Sequence, residues 1–304
     1  MSTDPRKWDP EKPKVLSWIA QSAGPNARVS RVVALPESAT TKHLIEIVRS
    51  DGSMLPLLLR RYHDAKRLAE DPWYVPANEA LALTVLADTA VPAPRLYAAD
   101  LQADICDVPA ILESWLPGGP VQAPGDLGTY LMESAKTLVA IHSVRTTEAK
   151  RFPKYAPYSD LSAISPPSFS RRPRLWECVA DALNPVPSLE GTTFIHRDYH
   201  PGNILWDGTR VTGVVDWATA AIGSPAVDLA RMRLNLGCRW GPSVADQFVD
   251  AYVATGGDPN AYDPQVDLLD AADYLADFTS PAGSASDDFD RFETYVEGVL
   301  NRLR

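Results

Sequence analysis

The spacing of hydrophobic positions changes at about residue 117. Before that point, short runs of aliphatic and β-branched residues alternate with turn residues, which is typical of strands. They predict five strands: 29–35, 43–48, 55–62, 94–100 and 110–116. Helical spacing here is confined to 11–23 and 76–90, and Asp51-Gly52 is a typical hairpin turn. We therefore predict a five-stranded antiparallel sheet with one helix inserted after its third strand.

The rest of the chain follows a helical pattern. Apolar residues recur every three to four positions in six segments: 127–144, 174–183, 225–236, 243–255, 264–278 and 287–303. One β-rich island, 193–217, interrupts them, and Pro117-Gly118-Gly119 is typical of a hinge. The pattern predicts an α+β chain with two domains, a sheet lobe at 1–116 and a mainly helical lobe at 117–304.

Composition narrows the class of protein. The chain has 304 residues, 45% hydrophobic and 22% charged, as expected for a folded globule with a full core. Its net charge of −10 argues against a nucleic-acid partner, because phosphate binding requires a basic surface. No apolar stretch has the ~18 residues of a membrane span, and the N-terminus lacks a signal-peptide pattern. Three widely spaced cysteines favour a reducing compartment, so we expect a cytoplasmic protein.

The island carries the candidate chemistry. Asp198 and Asn203 are five residues apart around a Pro-Gly turn, and Asp216 lies thirteen residues beyond Asn203. Asp207-Gly208 predicts a hairpin between these positions, and strand alternation then places Asn203 and Asp216 on one face, about 7 Å apart. An amide and a carboxylate supply the oxygen ligands that Mg²⁺ prefers, and Asp198 would face the same space. The spacing from Asp198 to Asn203 is that of a kinase catalytic loop.

At these residues the chain resembles the aminoglycoside phosphotransferase family, which has a protein-kinase-like fold. Three segments carry the resemblance: HRDYHPGNILW (196–206), VTGVVDW (211–217) and GSPAVDLA (223–230). Sheet lobe, hinge, island and helical tail also follow one another in the family's order. The resemblance implies Mg²⁺-dependent transfer of the γ-phosphate of ATP or GTP to a hydroxyl of a small molecule, such as an aminoglycoside or macrolide antibiotic.

The resemblance also assigns roles within the island. Asp198 is implied to accept the hydroxyl proton and to orient the attacking oxygen, with positioning more important than basicity because a carboxylate is a weak base. Asn203 and Asp216 are implied to hold Mg²⁺. Three further residues are implied to brace the loop: His196, Arg197 and Asp228.

In the sheet lobe, the resemblance implies that Arg60 grips the nucleotide phosphates where kinases use lysine, with Glu79 as its partner. Strand alternation turns Arg61 to the opposite face. The alternative interpretation is two surface arginines and a solvated glutamate. The absence of the kinase lysine leaves an alternative function open. In that alternative the protein is a nucleotide-binding pseudokinase with a regulatory or scaffolding role.

Two further segments are implied to bind nucleotide. The phosphate-covering loop, 35–41, contains no glycine, so its backbone amides and three hydroxyls would hold the phosphates less closely. The hydroxyls belong to Ser38, Thr40 and Thr41. Backbone groups of the hinge are implied to bind the nucleobase, at Glu113, Ser114 and Trp115. Because backbone groups recognise the base, the sequence leaves ATP and GTP open.

The tail bears on the acceptor. It is rich in aspartate: Asp258, Asp263, Asp267, Asp270, Asp273, Asp277, Asp287, Asp288 and Asp290. Family members that modify aminoglycosides bind sugar amines with carboxylates of this region, but helical spacing is equally compatible with a solvated face. Trp240 and Tyr274 are alternatives for an apolar acceptor pocket. A remote alternative function is a metal-dependent hydrolase that uses the His196-x-Asp198-x-His200 pattern.

Overall fold

The structure is a computed structural model that describes residues 12–36, 40–158, 164–187, 189–275 and 284–303, with side chains in the last of these ranges described from residue 288. The chain divides into two compact units. Unit 1 comprises the described residues up to Pro117 together with Gly213–Thr219, and unit 2 comprises Gly118–Thr212 with the described residues from Ala220 onward. The predicted domain boundary at 116/117 stays a prediction, and it did not anticipate that Gly213–Thr219 packs with the sheet.

Unit 1 contains the predicted five-stranded antiparallel sheet. Its strands are β1 (Arg28–Ala34), β2 (Thr41–Val48), β3 (Met54–Arg61), β4 (Leu96–Asp100) and β5 (Ala110–Ser114). Their order across the sheet is β1-β2-β3-β5-β4, and every neighbouring pair is antiparallel. Asp51 turns the β2–β3 hairpin, where its carboxylate accepts a hydrogen bond from the Ser53 amide.

Three helices accompany the sheet: α1 (Pro13–Ala23), α2 (Ala65–Glu70) and α3 (Pro76–Leu86). The prediction of one inserted helix was wrong, because α2 precedes α3. This six-residue helix has no buried residue and therefore no apolar period; it begins where the Asp64 carboxylate accepts the amides of Lys66 and Arg67. Val15 and Ile19 of α1 pack on one sheet face with a cluster of buried residues: Ile45, Ile47, Leu57, Leu59 and Leu112.

Unit 2 is mainly helical, as predicted. Its helices are α4 (Leu127–His142), α5 (Pro173–Ala182), α6 (Ala226–Trp240), α7 (Pro242–Ala254), α8 (Pro264–Tyr274) and α9 (Ser284–Leu300). Each corresponds to a predicted segment, although residues 276–278 lie outside the described part. Helix α6 packs against α7, α8 and α9, and eleven of its residues are buried, so it forms the centre of the unit. In the described ranges, no helix is long and apolar enough to cross a bilayer.

The β-rich island forms two small sheets. β6 (Thr193–Ile195) pairs with β9 (Ala221–Gly223), and β7 (Ile204–Asp207) pairs with β8 (Arg210–Val214). β9 was not predicted, because it lies just beyond the apolar run that defined the island. Trp206 of β7 exchanges two backbone hydrogen bonds with Gly119, of 2.9 and 3.1 Å. The preceding Gly118 has a φ of 91°, and a Cβ there would lie 2.1 Å from the Trp206 carbonyl oxygen, so this close approach requires glycine.

Candidate active site

Asp228 anchors the loop between β6 and β7, which contains Asp198. It lies in the first turn of α6 and is fully buried. Its carboxylate accepts the amides of His196, at 2.8 Å, and Arg197, at 2.6 Å. Arg197 has a φ of 71°, a strained backbone conformation for a non-glycine residue, which these two bonds help to hold. The loop is therefore bent and fixed at its base before it reaches Asp198.

Arg197 binds Asp228 through its backbone and not through its side chain. The contact uses its backbone amide, whereas the Arg197 guanidinium donates to the carbonyl of Ala156 and lies 3.6 Å from the centre of the Tyr158 ring. His196 is also buried, and its Nδ1 accepts the amide of Asp198 at 3.2 Å. Both side chains brace the loop in the structure, but their functional roles stay predictions.

Sequence reasoning missed a further contact of Asp228. His142, at the end of α4, places Nε2 3.1 Å from the Asp228 carboxylate and Nδ1 2.8 Å from the Tyr252 hydroxyl. The tautomer with its proton on Nε2 satisfies both bonds, since it donates to Asp228 and accepts from Tyr252. A single histidine at a helix end carries no local signal for such a role, so only the packing of α4, α6 and α7 reveals it.

We expect Asp228→Ala to lower the free energy of unfolding by roughly 3–5 kcal/mol, because it leaves two buried amides and one imidazole without their acceptor. Chemical denaturation measures the loss. Asp250→Ala, at an exposed position of α7, is the control and should change stability by less than about 0.5 kcal/mol. Equal stability of the two variants would contradict the anchoring role of Asp228.

Asp198 and Asn203 lie together in unit 2. The Asn203 side-chain amide donates to the backbone carbonyl of Asp198, at 2.9 Å, and to its carboxylate, at 3.1 Å. A 3-10 turn at Pro201–Asn203 makes this possible, and the His200 side chain caps that turn by accepting the Gly202 amide. With its NH₂ group committed to Asp198, Asn203 has its amide oxygen left as a ligand for a hard cation.

Arg231 of α6 lies beside Asp198, and the sequence analysis did not identify it. Its Nε lies 3.7 Å from the Asp198 carboxylate, and its terminal nitrogen lies 3.1 Å from Asp270. Burial alone would raise the pKa of Asp198, but the hydrogen bond from His200 and the charges of His200 and Arg231 outweigh burial and hold it well below its usual range. Asp198 is therefore ionised at neutral pH. Since Arg231 follows Asp228 by three residues, helical spacing is the signal that could have found it.

Unit 1 holds a second cluster around Arg60. Arg60 binds Glu79 of α3 at 2.5 Å and Asp216 at 2.9 Å, and the Tyr62 hydroxyl donates to the other oxygen of Glu79. Arg60 and Glu79 are 5% and 0% exposed, so the alternative of solvated surface residues is wrong. Arg61 lies on the opposite sheet face, as alternation predicts, and donates to the carbonyl of Cys106.

Asp216 reaches Arg60 from a short segment tied to α3. The side chain of Asn78 in α3 donates to the Ala218 carbonyl at 2.8 Å, and the Trp217 indole donates to the Val214 carbonyl at 2.8 Å. Asp216 itself has a φ of 69°, so its backbone is strained where its carboxylate meets Arg60. About half of its side chain remains exposed. Because of this partial exposure, the Asp216 carboxylate is accessible to a cation in addition to its ion pair with Arg60.

Lys42 and Glu113 join this cluster without having been identified as side-chain contributors. Strand register places Lys42 opposite Arg60 and Glu113 opposite Leu58, so Lys42, Arg60 and Glu113 share one sheet face. Burial and the charge of Arg60 lower the pKa of Lys42. Burial and Glu79 raise the pKa of Glu113 to about 8, and one Glu113 oxygen is buried without a hydrogen-bond partner among the described residues.

The structure constrains the predicted hinge contacts. Glu113 is paired with strands on both sides, and the amides of Ser114 and Trp115 donate to the carbonyls of Arg95 and Pro56, at 2.9 and 3.2 Å. Those two amides are therefore engaged in the sheet. Base recognition by this segment stays a prediction, and it would have to use other backbone groups of the hinge.

The predicted phosphate hydroxyls divide into described and undescribed residues. Ser38 lies outside the described residues, whereas Thr40 is buried and the Thr41 hydroxyl lies 3.0 Å from Nδ1 of His63. Thr41 is also on the sheet face opposite to Lys42 and Arg60, because adjacent strand residues alternate. The roles of these three residues as phosphate ligands stay predictions.

Three aspartates of the tail form a buried set on α8 and not a solvated face, whereas Asp258 and Asp288 are exposed. Asp267 and Asp270 are buried and ion-paired with Arg233 and Arg231, and Asp273 accepts the amide of Tyr158 at 2.8 Å. Asp263 caps α8 and Asp258 caps a turn at Asn260. Asp277 and the side chain of Asp287 lie outside the described residues. Asp267, Asp270 and Asp273 do share one face of α8, as their helical spacing predicts, but that face is buried in the protein.

Two features bear on metal binding. Among the described residues, no group of three histidines, cysteines or carboxylates is arranged to hold a metal ion. Asn203 and Asp216 each carry an oxygen donor of the kind that suits Mg²⁺, and their role as its ligands stays a prediction. They belong to different units, so their predicted separation of about 7 Å stays a prediction.

Comparison with known proteins places these features in a family. The profile of the phosphotransferase enzyme family, APH, matches residues 46–264, well over half of the chain. The N-acetylmuramate/N-acetylglucosamine kinase of Caulobacter vibrioides is 29% identical over 83 residues, 26% of this chain and 23% of that protein. Viomycin phosphotransferase of Streptomyces vinaceus is 36% identical over 80 residues, 25% of each chain. The match thus spans about a quarter of the length of these curated relatives.

A solved structure shows the same fold over nearly the whole chain. The crystal structure of a thermostable mutant of aminoglycoside phosphotransferase APH(4)-Ia, in complex with ADP and hygromycin B, superposes with a TM-score of 0.59. The superposition covers 95% of this chain and 98% of that one at 16% identity, so it establishes the fold alone. With the profile match across both units and the HRD-type loop inside it, the chain belongs to the phosphotransferase enzyme family.

Proposed function

We propose that this protein is a small-molecule kinase that transfers the γ-phosphate of ATP or GTP to a hydroxyl group, with Mg²⁺ as the required metal. The observation that supports it most is the loop anchored by Asp228, which holds an ionised Asp198 against Asn203. A structural loop has no need to keep a carboxylate one-third exposed next to an amide and a buried arginine. Family membership makes phosphoryl transfer the reaction that suits this arrangement.

In the proposed reaction, Asp198 orients the acceptor hydroxyl for in-line attack on the γ-phosphorus. A new oxygen–phosphorus bond forms as the bond to the bridging oxygen breaks, and the nucleoside diphosphate leaves with that electron pair. The hydroxyl proton passes to Asp198 and then to solvent. Because its pKa is low, Asp198 contributes mainly by position, and it accepts the proton late, when the acceptor oxygen has become acidic.

Arg60 and Glu79 would fix the phosphates of the donor. Glu79 holds the Arg60 guanidinium in one orientation inside a buried cluster, and phosphate oxygens would share that guanidinium with Glu79 and Asp216. Asn203 and Asp216 would hold Mg²⁺, which neutralises charge on the transferred group when bound. An arginine in place of the kinase lysine is therefore compatible with an active enzyme.

Lys42 would add a second cation for the phosphates. It lies opposite Arg60, and burial and the charge of Arg60 lower its pKa despite the nearby carboxylates of Asp216 and Glu79, so a further anion would stabilise its charged form. A triphosphate supplies that anion. This contact would compensate for the absence of glycine in the phosphate-covering loop, since a side-chain cation does not require close approach of the backbone.

We expect Lys42→Gln to raise the Kd for ATP by about 10-fold at neutral pH, because a charged contact to phosphate is lost. In the wild type, affinity should fall as pH rises through the lowered pKa of Lys42, since the cation is lost there; the variant should lack this alkaline decline. Titration calorimetry across pH measures both effects. Lys66→Gln, a change of an 80%-exposed lysine in α2, is the control, and equal affinities and pH profiles in all three proteins would contradict the role of Lys42.

The proposed function is tested with purified protein, Mg²⁺, ATP or GTP and a panel of hydroxyl compounds, by mass spectrometry for the gain of one phosphoryl group. The panel takes its chemistry from the relatives: N-acetylglucosamine, N-acetylmuramate, viomycin and hygromycin B, with further antibiotics and metabolites. A kinase forms a phosphorylated product and one nucleoside diphosphate per product. Nucleotide binding without consumption would instead identify a pseudokinase, and turnover without nucleotide a hydrolase.

A further inference from the structure

A cavity of about 540 Å³ lies next to the candidate catalytic loop in unit 2. Its lining includes Pro201 of the loop, Leu234 and Asn235 of α6, and Tyr274 at the end of α8. This volume is in the range that holds small-molecule ligands. Asp198 adjoins it through Arg231, whose guanidinium lies 3.7 Å from Asp198 and 5.5 Å from the centre of the Tyr274 ring. Asp198 is not among the lining residues, but Pro201 of its loop is, so the cavity is a candidate site for the body of an acceptor molecule beside that loop.

The charges that line this cavity differ from those expected for a cationic acceptor. Its charged residues in the described part of the chain are Arg239 of α6 with Arg291 and Asp288 of α9. Asp288 is ion-paired with Arg291 three residues further along the same helix, and Arg239 hydrogen-bonds only to the neutral side chain of Gln122 among the described residues. The lining therefore carries one excess positive charge, on a chain whose net charge is −10.

Three of the tail carboxylates that could bind amines are not accessible. Asp267, Asp270 and Asp273 are between 1% and 5% exposed, and their acceptor oxygens face Arg233, Arg231 and the Tyr158 amide. A polycation would have to displace the buried ion pairs of Asp267 and Asp270 with Arg233 and Arg231 to reach them, which is unfavourable because each buried arginine loses a carboxylate partner. Burial of these aspartates thus argues independently of the cavity against an aminoglycoside-like acceptor.

We propose that the acceptor is an anionic hydroxyl compound, with a carboxylate or phosphate group bound by Arg239 and Arg291 and an apolar body packed against Leu234, Tyr274 and Phe292. Guanidinium groups bind planar carboxylates and phosphates with paired hydrogen bonds, and neither arginine is buried, so each can adjust to a ligand. Asn235 supplies a neutral polar group for the remaining hydroxyls. This inference rests on the proposed kinase function and specifies the chemistry of its acceptor.

Matched probes test the inference. Glucuronate and N-acetylmuramate are each compared with their methyl esters, which lack the negative charge and carry one added methyl group, and hygromycin B serves as the polycation. Binding to the whole protein is measured by calorimetry in the presence of Mg²⁺ and a non-hydrolysable ATP analogue, and product formation with ATP by mass spectrometry. We expect at least one carboxylate to bind about 10-fold more tightly than its ester, and hygromycin B to bind more weakly than either.

The arginine variants locate the effect. Arg239→Gln and Arg291→Gln should each abolish most of the preference for carboxylate over ester and leave the affinity for the ester and for nucleotide unchanged. Arg210→Gln, at an exposed arginine of β8, should change none of these values. Absence of any carboxylate preference, a preference that survives in both arginine variants, or tighter binding of hygromycin B would overturn the inference.

The two proposals fail in different ways. If the acceptor inference is wrong but the kinase function is right, nucleotide is still consumed with some neutral or cationic hydroxyl compound. If the kinase function is wrong, no compound of the wider panel gains a phosphoryl group, whatever its charge. Calorimetry without turnover still decides whether the cavity prefers anions.

Discussion

Asp198→Asn is expected to reduce phosphoryl transfer by about 10²–10⁴-fold while changing the Kd for nucleotide by less than about 3-fold. Asparagine keeps the shape of the side chain, but it neither accepts the hydroxyl proton nor offers the negative charge that aligns the hydroxyl. The nucleotide contacts proposed above belong to Arg60, Lys42 and Asp216, which are residues of unit 1, whereas Asp198 belongs to unit 2. Turnover is measured at saturating acceptor, and nucleotide binding by calorimetry.

Asp207→Asn is the matched control for this variant. Asp207 is an exposed aspartate at the end of β7, four residues beyond Asn203, so its replacement removes the same charge from the hairpin that follows the loop of Asp198. It should leave turnover within about 2-fold of the wild type, as expected for a surface change. Wild-type turnover of Asp198→Asn would refute the assigned role, provided that its far-UV circular dichroism and unfolding midpoint match those of the control.

Asp216→Asn is expected to abolish most of the Mg²⁺-dependent part of nucleotide binding. A neutral amide is a weaker ligand for a hard dication than a carboxylate, and residues that only support metal ligands already cost about 10–100-fold in affinity when replaced. The change also removes the ion pair with Arg60, which keeps Glu79 as its partner. Calorimetry of ATP binding, with Mg²⁺ and with EDTA, separates the metal-dependent and metal-independent terms.

The expected signature is a difference between two titrations. In wild type, Mg²⁺ should tighten ATP binding strongly; in Asp216→Asn, the values with and without Mg²⁺ should converge. Asp88→Asn, at an exposed aspartate of unit 1, should behave as wild type. Retention of the full Mg²⁺ effect in Asp216→Asn would show that the metal is held by other residues, and it would remove Asp216 from the proposed site.

Local patterns in the sequence were sufficient to predict most of the secondary structure. The runs at 43–48 and 55–62, with Asp51-Gly52 between them, became the β2–β3 hairpin because alternation and turn chemistry act over a few residues. Helix α2 and strand β9 were missed for the opposite reason. Each is too short to show a period, and each is stabilised by a cap or by a distant partner strand.

In the candidate site, too, the sequence predicts some features, and only the tertiary structure shows the others. The residue types and spacing of Asp198, Asn203 and Asp216 are sufficient to indicate phosphoryl transfer without the tertiary structure. Their supporting contacts did not appear in the sequence, because they join residues far apart along the chain. Asp228 meets His142 across 86 residues, and Arg60 meets Asp216 across 156.

The tail shows where pattern alone misleads. Asp267, Asp270 and Asp273 have the spacing of one helix face. This spacing predicts that the three carboxylates point in the same direction, but it does not predict what they contact. Whether that face meets water or protein depends on what packs on it, and here Arg231 and Arg233 of α6 do.

The amino-acid sequence by itself therefore determined the order of strands and helices, the kinase-like loop and the family resemblance, since these depend on periodicity and on residues close together in the chain. The tertiary structure decided which charges are buried, which are paired and which line the cavity beside the loop. Burial and pairing depend on contacts between distant segments, and for that reason only the folded chain could indicate an anionic rather than a cationic acceptor.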